Sequence, residues 1–168
     1  MEGQTHQSQK EIEALKYQLT RSKKSAKIRD DLWSKSVDSL SEGIRCIQKF
    51  KDTVQFIVSA EGTSLDADLA MEYITEARSE FFSSFETNLA NLNEREAKAF
   101  HRAKNISLSV ENQIKSSLHD VDIASALSEE DVGELLRQRS DLTDAQQVLR
   151  DFRIERLTKR ISDEGIKL

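Results

Sequence analysis

Apolar residues recur at steps of three and four from Ile12 to Ile57, and no proline interrupts them anywhere in the 168-residue chain. The series is Ile12, Leu15, Leu19, Ala26, Trp33, Val37, Leu40, Ile44, Ile47, Phe50, Val54 and Ile57. This spacing is typical of the seam of a long amphipathic helix and lies close to the 3.5-residue period of coiled coils. We therefore predict a first helix over about residues 7–59, about 80 Å long at 1.5 Å per residue.

Turn signals divide the rest of the chain at two places. The first break contains Gly62 and Ser64, and the second lies within residues 119–127. We predict a second helix over about 64–118 and a third over about 128–164, with frayed tails at 1–6 and 165–168. Short connections favour antiparallel neighbours. The expected fold is all-α, with residues 1–168 forming one domain, an elongated antiparallel three-helix bundle or coiled coil whose third helix is the shortest.

The charge distribution supports this alignment. Folding the three helices about the two turns places the basic cluster Arg150–Arg160 beside Glu86, Glu94 and Glu96. Exposed ion pairs contribute little stability, but they discriminate between alternative registers. The match between opposite charges therefore favours the antiparallel arrangement.

The unequal helix lengths predict an uncovered end. The third helix would reach only the level of Phe81, so the hairpin 44–80 would consist of two helices alone. Each member of a helix pair buries one stripe of side chains, so any other apolar face of the hairpin would remain exposed to water. Three consecutive residues, 56–58, are apolar and cannot all face one seam. We predict that this apolar tip binds a partner protein or a second copy through Phe50, Val54, Phe56, Ile57, Val58, Leu65, Leu69, Tyr73 and Ile74. In the alternative, the first helix kinks there or the tail 166–168 folds over the tip.

Nothing in the sequence indicates catalysis. His6, His101 and His119 lack the spacing of a helical zinc pair, and the five glycines are too scattered for a phosphate-binding loop. Cys46 is the single cysteine and lies between apolar neighbours, as a packed thiol does. We expect no catalytic, metal-binding or cofactor-binding residues, no cofactor, no small-molecule substrate and no enzyme activity. The lone cysteine and the polar N-terminus favour a cytoplasmic or nuclear location.

A basic run in the first helix points to a different kind of partner. Lys16, Arg21, Lys23, Lys24, Lys27 and Arg29 lie in a stretch, residues 14–29, that contains no acidic residue. Such a run can simply be a solvated face that is partly neutralised by the third helix. It also suits an anionic lipid surface or nucleic-acid phosphates, but the net charge of −5 and the few aromatic residues disfavour nucleic acid. Three long helices with basic patches resemble the plan of BAR-type modules, which implies a membrane-surface-binding dimer as the alternative function.

The favoured function is a non-enzymatic scaffold or complex subunit that docks partner helices onto an incomplete bundle. The expected partners are other helical proteins or further copies of the chain, with the hairpin tip 44–80 as the interface. A helical effector or filament subunit exported without a cleaved signal is a third hypothesis.

Overall fold

The computed structural model describes residues 2–59, 67–118 and 127–163, and gives side-chain surroundings for 8–59, 67–117 and 127–160. Every element in these ranges is helical, so the predicted all-α class is confirmed. The chain divides into two compact units, Met1–Ser36 and Val37–Leu168. The first unit is a stretch of a single helix, and the second contains the remaining helices packed together.

Within the described ranges there are four α helices: α1 (Glu2–Ser59), α2 (Ala67–Asn88), α3 (Glu94–Leu118) and α4 (Glu129–Asp163). The predicted second helix, 64–118, is wrong as a single element, because a short 3₁₀ turn at Leu89–Asn91 divides it. The predicted three-helix bundle is therefore corrected to four helices. Of the expected frayed tails, residues 2–6 belong to α1, and 165–168 lie outside the described part of the chain.

Asparagine side chains form the turn between α2 and α3. Asn93 Oδ1 accepts the Glu96 N–H at 2.9 Å, and Glu96 Oε1 accepts the Asn93 N–H at 2.9 Å. This reciprocal pair is a capping box that satisfies two backbone donors at the start of α3. The Ser39 hydroxyl of α1 donates to Asn88 Oδ1 at 2.9 Å, which ties the end of α2 to α1. Local hydrogen bonds thus make this turn without glycine or proline.

The second unit is an antiparallel four-helix bundle. On each pair of neighbouring helices, residue numbers rise along one member as they fall along the other. The pairs that fix these directions are Arg45–Glu80 and Phe56–Tyr73 between α1 and α2, Arg78–Glu111 and Phe85–His101 between α2 and α3, Glu96–Arg156 and Ser109–Gln138 between α3 and α4, and Ser41–Arg153 and Lys51–Arg139 between α1 and α4. The contact between Arg156 and Glu96 confirms the predicted neighbourhood of the C-terminal basic cluster.

Phe100 of α3 occupies the centre of the bundle and is fully buried. Its ring centroid lies 5.5 Å from the ring centroids of both Phe81 and Phe85 on α2. The ring also lies against the backbone of Gly43 on α1, where an added Cβ would be 2.8 Å from Cζ, 3.0 Å from Cδ2 and closer still to Cε2. A side chain at position 43 and the ring of Phe100 cannot occupy the same space, so glycine is required for this close approach.

A polar cluster crosses the interface between α1 and α4. Lys51 is 6% exposed, and its Nζ donates to Oε1 of Gln146, which is fully buried, at 3.1 Å. Gln146 Nε2 in turn donates to the Ile44 carbonyl at 2.9 Å and to Gln48 Oε1 at 3.1 Å. Burial, assisted by the positive charge of nearby arginines, lowers the pKa of the Lys51 ammonium. The core therefore contains a cation whose hydrogen-bond partner is a neutral amide.

Two buried carboxylates on α3 are held by basic side chains. Glu96 has a 1% exposed side chain and accepts hydrogen bonds from Arg156 of α4, one of them 2.5 Å from Nε. Glu111 has a 3% exposed side chain and accepts from Lys115 and, at 2.5 Å, from Arg78 Nε of α2. Burial acts to raise the pKa of the Glu111 carboxyl, but hydrogen bonds from Lys115 and Arg78 outweigh it, so the pKa lies below its ordinary value.

Candidate functional site

The predicted hairpin tip is mostly core. Phe50, Val54 and Ile74 are fully buried, and Ile57 and Val58 are 2% and 9% exposed. The expectation that these five would face a partner is wrong, because α3 folds back and covers the hairpin together with α4. Leu65 lies outside the described residues. Of the nine predicted tip residues, Phe56, Leu69 and Tyr73 are exposed.

Phe56 and Tyr73 form an edge-to-face pair at the rim of a surface groove. Their ring centroids are 5.8 Å apart with an interplanar angle of 70°. The groove has a volume of about 920 Å³ and follows the outward side of α1, bounded by Tyr73 and Glu76 of α2 and by Arg150 of α4. Whether the exposed aromatic residues at its rim bind a partner stays a prediction.

Two of the basic residues that line this groove, Arg45 and Lys49, are already paired. Arg45 donates to Glu42 at 2.6 Å and to Glu80 at 2.9 Å, and Lys49 also donates to Glu80. Hydrogen bonds from Lys49 and then Arg45 hold the pKa of the Glu80 carboxyl below its ordinary value. Arg150 makes no hydrogen bond or ion pair among the residues with described side chains. Among the residues with described side chains, the groove therefore offers an aromatic rim, the Arg150 cation and the exposed carboxylates of Asp52 and Glu76.

A longer apolar surface lies in the first unit. Ile12, Leu15 and Leu19 are 50%, 64% and 56% exposed, whereas Ala26 and Trp33 are half-buried. These five residues are called the N-terminal stripe below. Residues 12, 19, 26 and 33 are spaced by seven, and the same spacing continues in sequence as 40, 47 and 54, which are all fully buried in the bundle. The sequence spacing that produces core residues in the second unit is thus the spacing of exposed residues in the first.

Basic residues accompany the N-terminal stripe. All six members of the predicted basic run, Lys16, Arg21, Lys23, Lys24, Lys27 and Arg29, are exposed. None of the six makes an ion pair with another residue of the described ranges. At 100° per residue, Lys16, Lys23 and Lys27 follow one flank of the stripe, whereas Lys24 lies on the far side of the helix. The first unit therefore combines an apolar seam with unneutralised positive charge.

Among the described residues, groups associated with catalysis are dispersed. In the part of the chain that the structure describes, no three His, Cys, Asp or Glu residues are grouped so that they could hold a metal ion. His101 is exposed and packs its ring 5.7 Å from that of Phe85, and the side chains of His6 and His119 are outside the described set. Cys46 is buried, and burial raises the pKa of its thiol. None of the described helices has the length and apolar character needed to cross a membrane.

No family model, curated protein or solved structure matches this chain. Function must therefore be inferred from the exposed surfaces of the molecule itself. In the predicted three-helix bundle, this seam would face the other two helices. Helix length is the signal that identifies it as a surface, since α1 has 58 residues and the next longest helix, α4, has 35.

Proposed function

We propose that this chain is a non-enzymatic helical scaffold subunit that docks a partner helix against the N-terminal stripe. Ile12, Leu15 and Leu19 each expose half or more of their side chain, and they lie in a seam with seven-residue spacing. This exposure is the observation that carries the proposal. Large side chains repeated at this spacing on one helix are covered by a second helix in coiled coils. The proposed interface replaces the hairpin tip, most of which is core.

The dimensions of the stripe suit a helix. From Ile12 to Ala26 it extends over about 21 Å at 1.5 Å per residue, which is two heptads, and the half-buried Trp33 continues the spacing in sequence. The flanking positions are polar, so the apolar band is narrow, as in a coiled-coil seam. Full burial of one such side chain contributes about 1.5–3 kcal/mol. Since Ile12, Leu15 and Leu19 are each half exposed or more, covering their exposed parts would contribute roughly 3–4 kcal/mol to the binding free energy. This gain is modest, so affinity also depends on the groups beside the stripe.

The test uses two synthetic four-heptad peptides with Ile at a and Leu at d, one with Glu and one with Lys at all e and g positions. Fluorescence anisotropy would measure binding of each labelled peptide to the full chain. We expect at least one peptide to bind, and we expect Leu15→Glu with Leu19→Glu to abolish binding. Absence of binding by both peptides, or binding that survives this double substitution, would refute the proposed function.

The chain offers a matched control for this experiment. Tyr17 and Ile28 are 68% and 53% exposed, and the helical spacing places them opposite the stripe. Tyr17→Glu with Ile28→Glu introduces the same two charges at similarly exposed apolar positions. We expect this variant to bind the peptide as the unchanged chain does. Far-UV circular dichroism of both variants checks that the helices remain formed.

A second candidate function is binding to an anionic membrane surface through the six exposed basic residues, with Ile28 and Leu32, 53% and 56% exposed, contacting lipid. Co-sedimentation with vesicles of phosphatidylglycerol and phosphatidylcholine tests it. Salt-sensitive binding that is lost on Lys23→Glu, Lys24→Glu and Lys27→Glu supports this candidate. No sedimentation at low salt would eliminate it.

A further inference from the structure

We infer that the partner helix is acidic along the flank that faces Lys16 and Lys23; this inference rests on the proposed function and names the chemistry of its partner. The first step is the position of the two lysines. Lys16 follows Ile12 by four residues, and Lys23 follows Leu19 by four, so both are exposed immediately beside the stripe. Lys27 lies one turn beyond Lys23 on the same flank. In coiled coils these are the positions whose charges select the partner.

The opposite flank of the stripe carries no such charge. Gln18 and Ser25 precede Leu19 and Ala26 by one residue and are uncharged. The surface around the stripe is therefore asymmetric, with Lys16, Lys23 and Lys27 followed by Asp30 on one side, and Glu11 followed by neutral polar groups on the other. A partner with acidic residues on one flank would pair with these cations, and a basic partner would be repelled by them.

A second copy of the chain is a poor occupant for this surface. The stripe covers residues 12–33 and the basic run covers 16–29, so both are centred between residues 22 and 23. Two copies whose stripes overlap would therefore superpose their basic runs in the parallel and in the antiparallel orientation alike. Each alignment brings the two basic runs to the same level, and the acidic residues beside this part of the seam are Glu11, which could meet Lys16 of a parallel copy, and Asp30, beyond the end of the run. Like charges across a helix interface oppose such pairing.

A lipid surface fits the stripe less well than a helix does. A helix that lies in a membrane interface has a wide apolar face, whereas the band here is as narrow as a coiled-coil seam. Ser22 and Arg29 also occupy positions in the seam, at seven-residue steps from Leu15. Polar groups at single seam positions are tolerated between two helices, where they specify register. The observations together favour an acidic amphipathic helix.

The experiment compares the Glu peptide with the Lys peptide on the full chain. We expect the Glu peptide to bind at least about 10-fold more tightly at about 0.05 M salt, and the preference to shrink at about 0.5 M salt as the charges are screened. Lys16→Glu, Lys23→Glu and Lys27→Glu together should reverse the order of the two peptides. Lys10→Glu, Lys24→Glu and Lys35→Glu make the same charge change on the side of the helix away from the stripe and should leave the order unchanged.

Each outcome decides a different statement. Equal affinities, or tighter binding of the Lys peptide, would overturn the acidic partner while leaving the proposed helix docking intact. Failure of both peptides to bind overturns helix docking itself. Light scattering that shows a dimer of the unchanged chain, dissociated by Leu15→Glu with Leu19→Glu, would identify a second copy as the occupant and overturn the inference. Salt-sensitive binding to anionic vesicles without binding of the Glu peptide would overturn it in favour of a membrane.

Discussion

Gly43→Ala and Gly133→Ala are the same substitution in two helices, and the structure predicts opposite effects. At position 133 an added Cβ meets no atom within 4 Å, so only helix propensity changes. Alanine is better than glycine inside a helix by about 1 kcal/mol. We expect Gly133→Ala to raise the free energy of unfolding by about 0.5–1 kcal/mol.

At position 43 the same gain is opposed by a steric conflict with Phe100. The new Cβ would be 2.8 Å from Cζ of this ring and closer to Cε2, so the ring has to move. Its other neighbours are the rings of Phe81 and Phe85, each 5.5 Å away between centroids, which leave it little space. Overpacking a core typically costs about 1–3 kcal/mol. After the propensity gain of about 1 kcal/mol, we expect a net loss of up to about 2 kcal/mol, which lowers Tm by up to about 8 °C for a bundle of this size.

Urea unfolding followed by circular dichroism at 222 nm measures both variants under one condition. A double-mutant cycle with Phe100→Leu isolates the conflict, since a smaller residue at position 100 should remove most of the penalty at position 43. We expect a coupling energy of about 1 kcal/mol or more. If Gly43→Ala stabilises the protein as Gly133→Ala does, the central position of the Phe100 ring against α1 is refuted.

Three further predictions concern stability. Val58→Glu should destabilise the bundle by several kcal/mol because it buries a charge. Phe56→Glu should cost less, about 1–2 kcal/mol, because it removes a half-exposed ring and its edge-to-face pair with Tyr73. Equal urea midpoints would contradict their opposite orientations. Asn93→Ala should lower the free energy of unfolding by about 1 kcal/mol by removing the cap of α3, and an unchanged midpoint would show that the cap contributes nothing. The pKa of Glu111 lies below its reference value of 4.5, so its stabilising contribution is complete above that pH and is lost as pH falls through the lower folded-state value. The unchanged chain should therefore lose more stability than Glu111→Gln between neutral pH and about pH 3, and parallel urea titrations that show equal losses would contradict this.

The sequence contained enough information for the antiparallel order of the helices on either side of its two predicted breaks, although the break residues 60–66 and 119–126 themselves lie outside the described ranges. Arg156 beside Glu96 follows directly from folding the chain about residue 123. The turn between α2 and α3 was missed because it has no glycine or proline, and the apolar spacing continues through it. Its signal is the pair Asn93 and Glu96, three residues apart, which is the spacing of a capping box.

The missed turn explains the error at the predicted tip. With residues 64–118 read as one helix, nothing remained to cover Ile57 and Val58, so they were assigned to an interface. In the four-helix bundle each helix contacts two neighbours and buries a wide face, which accommodates two adjacent apolar residues. The exposure of Phe56, the third of the consecutive set, follows from the same geometry. The basic run and the apolar seam of the N-terminal segment were visible in the sequence, but their exposure depends on which helices are available to cover them.

The cluster of Lys51, Gln146 and Gln48 also determines how α4 is aligned along α1. Apolar seams with a repeating period allow two helices to slide by one turn, about 5.4 Å, and still place apolar residues against each other. After such a slide, Gln146 would leave the Ile44 carbonyl and Gln48, and the Lys51 ammonium would lose its amide acceptor. Unsatisfied polar groups inside a core are costly. Three polar residues thus reduce a set of nearly equivalent alignments to one.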